Sequence, residues 1–138
     1  MADITAIDNA KVWLNTADVT MKGRIYTTAL YSMEMAVEIA LKALLMEFGI
    51  NVPKLHNVMN SLKAVFEERR SALPKEFRDK EAFVLDTYND LLEIRPLVGY
   101  IFEMNASIDV EEKAKKYIKA SKEVVDLCDL AIRHISKK

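Results

Sequence analysis

The sequence predicts an all-α chain, an up-and-down antiparallel bundle of four long helices plus one short helix. Three observations carry that expectation. Apolar residues recur every three to four positions over most of the chain, the spacing that lays one stripe along an α-helix. Three Gly and three Pro in 138 residues leave too few turn residues for a many-stranded β fold. The connections between the periodic segments are short, which forces neighbouring helices to lie antiparallel.

The first helix carries Ile7, Ala10, Leu14, Ala17 and Met21 on one stripe, with Trp13 beside it as the largest packing residue, and Gly23 ends it. Ile25 to Phe48 reads as a second helix, apolar around most of its circumference through Leu30, Met33, Val37, Leu41, Leu44 and Leu45. Such a helix belongs at the centre of a bundle. Gly49 stops it. A shorter third helix follows from about Asn57 to Arg70, with Val58, Leu62, Val65 and Phe66 inward, and Ser71 to Pro74 breaks the pattern. The fourth runs from about Lys75 to Ile94 on an inner face of Val84, Tyr88, Leu91 and Leu92. Pro96 is expected to kink or end it. The segment Leu97 to Ile108 shows no single period. Asp109, with Glu112 three residues on, makes a capping-box-like start for a last helix, Val110 to about Ile135, with Ala114, Tyr117, Ser121, Val124, Val125 and Cys128 inward.

A length of 138 residues with 51% hydrophobic and 30% charged residues predicts one compact domain spanning 1–138. The net charge of −1 excludes a protein that coats nucleic acid by bulk electrostatics, so any RNA contact must be local. A single cysteine, Cys128, excludes an internal disulfide and a cysteine-based zinc site, and the start Met1-Ala2-Asp3 has neither a basic nor an apolar leader region. A cytoplasmic protein is the expectation. The most apolar stretch, Ile39 to Met46, is interrupted by Lys42 and flanked by Glu38 and Glu47, so no membrane span is expected. No Gly-rich phosphate loop or nucleophile triad is present, and no cofactor is expected.

Arg95 continues the inner face set by Val84, Tyr88 and Leu91, where a charge is expensive unless paired. It reads either as a phosphate clamp, since a guanidinium offers a rigid fork to phosphate oxygens, or as a buried structural ion pair. Glu34, Glu38 and Lys42 lie at i, i+4 and i+8 and, with Thr27 and Tyr31, draw a polar line along the buried second helix. A Glu38–Lys42 pair and a Glu34 or Glu38 partner for Arg95 are the expected roles. A metal there is disfavoured because metal-binding bundles use more ligands and a Glu-x-x-His pattern. His56 and His134 follow no ligand spacing. Lys115, Lys119 and Lys122 share their face with Asp126 and Asp129, a mixed solvated surface. The aromatic residues fall mostly on inner stripes and indicate no base-stacking platform.

The stretch from Tyr31 through Leu45, the following Gly49-Ile50 and Pro53-Lys54-Leu55-His56, the early Trp13-Leu14 and the late Arg95 together resemble the HEPN family, the higher eukaryotes and prokaryotes nucleotide-binding domain. The resemblance covers essentially the whole chain. It implies a helical bundle, usually a homodimer, often encoded beside a small nucleotidyltransferase in toxin–antitoxin pairs. Many members of the family are metal-independent ribonucleases that use an Arg, four to six residues, then a His, with the two motifs juxtaposed across the dimer. The matching stretch here is Arg95-Pro-Leu-Val-Gly-Tyr100, with Tyr100 where the histidine would stand. The resemblance thus implies a dimeric module that engages a nucleotidyltransferase partner, RNA or a nucleotide through a degenerate motif. An active endoribonuclease using Arg95 and Tyr100, and a scaffold that binds no ligand, are the alternatives. The apolar residues of Leu97 to Met104 mark that segment as the expected dimer interface.

Overall fold

Thr5 takes extended backbone and its hydroxyl accepts the N–H of Asp8 at 3.2 Å, which opens α1, Ala6–Lys22. The computed structural model describes residues 4–52, 57–100 and 109–137, residues 97–100 by backbone alone. Arg24, at a left-handed φ of 60°, turns the chain into α2, Tyr26–Glu47, and Gly49, at φ 77°, carries it off again. α3 (Met59–Glu68), a 3-10 turn at Arg70–Ala72, α4 (Lys75–Arg78), α5 (Glu81–Tyr100) and α6 (Val110–Ser136) complete the order. Asp109 caps α6, its carboxylate accepting the N–H of Glu112 at 2.9 Å.

Ion pairs fix the direction of each long helix. Lys11 meets Asp129 at 2.8 Å and Lys122 meets Asp18 at 2.7 Å, so α1 and α6 run antiparallel. Lys80 meets Glu123 at 3.2 Å and the Tyr117 hydroxyl donates to Asp90 at 2.8 Å, so α5 and α6 are antiparallel as well. Ser136 donates to Glu47 at 2.6 Å, which brings the C-terminal ends of α2 and α6 together. The four long helices thus alternate up and down, an all-α bundle, and there is no strand among the described residues.

α2 packs against α1, α3, α5 and α6. Its residues Leu30, Met33, Val37, Leu41, Leu44 and Leu45 are fully buried, each contributing about 1.5–3 kcal/mol of apolar burial. No helix among the described residues is long and apolar enough to cross a membrane.

Two elements differ from the sequence expectation. The helix expected over 75–94 is broken: α4 ends after one turn, the Lys80 N–H bonds the Phe77 carbonyl at 3.0 Å, and α5 starts at Glu81. The break lets Phe77 turn wholly inward against Phe66, ring centroids 5.4 Å apart. Pro96 does not end its helix, because α5 continues to Tyr100 with the proline inside it. The proline lies on the exposed side, where the Leu92 carbonyl that it leaves without a helical N–H can turn toward water.

Candidate functional site

Leu91 on α5 is buried, and Arg95, one turn later, follows it onto the face toward α2. There its Nη1 lies 3.0 Å from Glu34 Oε2 and 3.4 Å from Glu38 Oε1. Glu38 is shared, because its Oε2 also meets Lys42 Nζ at 3.3 Å. The burial is graded: the two glutamate side chains are 1% and 3% exposed, whereas Arg95 and Lys42 each retain 20%. The cluster is a carboxylate floor with two cations above it at the surface.

The floor cannot carry two full negative charges cheaply. Burial, then a side-chain hydrogen bond to Glu38 and its repulsion, push Glu34 up from 4.5 to about 8, against the lowering influence of Arg95. Two ionised carboxylates can only repel, and a proton on Glu34 turns that repulsion into a hydrogen bond. Glu34 Oε1 is buried without a hydrogen-bond partner among the described residues, as expected of a carboxyl poised to hold a proton. A neutral Glu34 reduces the negative charge that Arg95 and Lys42 face among the described residues. Tyr88 closes the site from below. It is fully buried, its hydroxyl accepts the Val58 N–H at 3.1 Å, and burial, reinforced by both glutamates, pushes its phenol up.

Above the ion pairs, the Arg95 guanidinium lies over the Tyr31 ring, 5.4 Å from its centroid, and Trp13 of α1 meets Tyr31 edge-on at 6.0 Å. Tyr31 is 38% exposed. Tyr31 stands on the polar line of α2 that the sequence predicts, three residues before Glu34, whereas its contact with Trp13 of α1 carries no signal in the sequence.

A family model for the HEPN domain matches residues 5–131. The chain belongs to the HEPN family. No match was found among curated proteins or among solved structures. In this HEPN domain, Arg95, Glu34, Glu38 and Lys42 are brought together, whereas the side chains of residues 97–100, including Tyr100, and the whole of residues 101–104 and His56 lie outside the described residues. His134 sits in the last turn of α6, near the end of the bundle where Ser136 meets Glu47. Lys115 and Lys122 are engaged by Glu111 at 3.7 Å and Asp18 at 2.7 Å, which leaves that face of α6 mixed in charge. Among the described residues no three His, Cys, Asp or Glu side chains are grouped to hold a metal.

Proposed function

We propose that this HEPN domain is a binding module for RNA or a nucleotide, a single domain acting as a homodimer, and that Arg95 is its phosphate contact. The observation that carries the reading is the graded cluster: Arg95 and Lys42 nearer the surface, over a buried carboxylate pair in which burial raises Glu34 toward its neutral form. A guanidinium already oriented by carboxylates loses little freedom on binding a phosphate. A nucleotidyltransferase partner in a toxin–antitoxin setting is the biological context that the family suggests.

Cleavage is expected to be weak. Tyrosine, with an unperturbed pKa near 10, is a poor general base at neutral pH compared with the histidine of the motif, a loss of roughly 10²–10⁴ in rate. The test is the binding and cleavage of a labelled single-stranded RNA in EDTA by the wild type, Arg95→Ala and Arg95→Lys, with light scattering to read the oligomer. Binding lost in both variants with little cleavage in the wild type supports the module. Robust cleavage abolished by Arg95→Ala replaces it with an active ribonuclease, and RNA binding indifferent to Arg95 leaves a scaffold.

A further inference from the structure

We infer that Tyr31, with Trp13 behind it, is a stacking platform for an unpaired base, so that the ligand of the Arg95 cluster is a single-stranded nucleotide segment rather than a duplex or a bare phosphate. This rests on the phosphate-contact reading of Arg95 and adds the part of the ligand that a phosphate contact leaves undefined.

The aromatic arm is surplus to packing. α2 is otherwise buried through its central turns, yet Tyr31 stands 38% exposed on the same face as Glu34 and Glu38. Its ring is held from two sides, by the Arg95 guanidinium at 5.4 Å and by Trp13 edge-on at 6.0 Å. A ring fixed in that way has little rotamer freedom left to lose, and the residue keeps 38% of its surface exposed. The ring and the guanidinium, 5.4 Å apart, put a stacking group and a phosphate contact within reach of one nucleotide.

Charge points to the same ligand. With a net charge of −1 over the chain and two cations at the site among the described residues, little affinity can come from many phosphates, as it does for duplex binders. Stacking supplies affinity without charge, about 1–3 kcal/mol per base, but only where the base face is not already covered by its neighbours in a duplex. Single-stranded nucleic acid offers that face; inorganic phosphate and double-stranded RNA do not.

The experiment uses the chain's single tryptophan, Trp13, as its reporter. Short oligoadenylate, the same strand annealed to oligouridylate, and inorganic polyphosphate are titrated into the wild type, Tyr31→Phe, Tyr31→Leu and Arg95→Ala, with circular dichroism to verify folding. The expected result is quenching of Trp13 by oligoadenylate and not by polyphosphate, with the duplex binding more weakly. Tyr31→Phe keeps a ring and stays within about twofold of the wild type, whereas Tyr31→Leu weakens oligoadenylate about five- to a hundredfold and leaves polyphosphate unchanged. Should Tyr31→Leu weaken both ligands alike, Tyr31 only steadies Arg95 and the platform is wrong. Arg95-dependent polyphosphate binding with no gain for oligoadenylate overturns the platform alone. Absence of any Arg95-dependent binding overturns both the phosphate contact and the platform built on it.

Discussion

Arg95 Nη1 lies 3.0 Å from Glu34 Oε2, joining side chains 61 positions apart in the sequence, while the other oxygen of Glu34 is buried without a hydrogen-bond partner among the described residues. One oxygen of the carboxyl is held by a cation, and the burial of the other favours the neutral form of the group. Arg95→Ala removes the cation and leaves Glu34 and Glu38 facing each other alone. The expected loss is about 3 kcal/mol, the low end for a broken buried pair, because Arg95 is 20% exposed and Glu34 can neutralise itself. Arg95→Lys keeps the charge and recovers most of that stability, but not the planar fork. Urea denaturation of the three proteins at neutral pH measures it, and an unchanged midpoint for Arg95→Ala would show the ion pair contributes nothing.

The proton on Glu34 makes stability depend on pH in a direction opposite to that of most carboxylates. Its pKa rises from 4.5 to about 8 on folding, chiefly through burial, so the folded state binds the proton more tightly than the unfolded chain does. The associated stability is fully present below the unfolded value, about 4.5, and is lost as pH rises through about 8, at a limiting slope of about 1.4 kcal/mol per pH unit. Glu34→Gln keeps the shape of the side chain and cannot titrate. The decline in unfolding free energy across that window should therefore flatten in the variant. Parallel declines in variant and wild type would place the proton elsewhere.

How much of this was legible in the sequence depends on whether a signal was local. The extents of α1, α2 and α6 follow from periodicity and from Gly23, Gly49 and Asp109, each of which acts on its own neighbourhood, while the Thr5 cap of α1 is added by the structure. The break at Asp79 and Lys80 is not local. No glycine or proline marks it, and what sets it is Phe77 reaching Phe66, a contact that exists only once the helices have assembled. Arg95, Glu34, Glu38 and Lys42 were legible because a charge on an apolar stripe calls for a partner wherever the stripe is buried. The position of Tyr31 on the polar line was legible too, but its contact with Trp13 was not, since the pairing of α1 with α2 that brings the two rings together is a long-range packing event.

Cys128 tests whether the centre of the bundle stays closed. It is fully buried, and burial pushes its thiol well above the ordinary range, so it has almost no thiolate at neutral pH. A thiol reagent in excess should label the native protein only as fast as the protein opens, and the rate should converge on that of a free thiol above the urea midpoint. Rapid stoichiometric labelling without denaturant would mean that α6 opens away from α2 far more readily than its packing implies.

Tyr88 ties α3 to the long-helix bundle, and the tie can be cut by removing one atom. Its hydroxyl accepts the N–H of Val58, the residue that precedes α3, at 3.1 Å, and both residues are buried. Tyr88→Phe keeps the ring and leaves that N–H without its acceptor, a loss of about 1–3 kcal/mol. The phenol is pushed up by burial and stays neutral through the range in which Glu34 titrates, so this loss should be the same at pH 6 and pH 9. Hydrogen exchange locates the effect: the Val58 amide should lose protection in the variant before amides in the middle of α2 do. If protection falls equally along α2, the hydroxyl supports the whole core rather than α3, and the coupling runs through the carboxylates above Tyr88 instead.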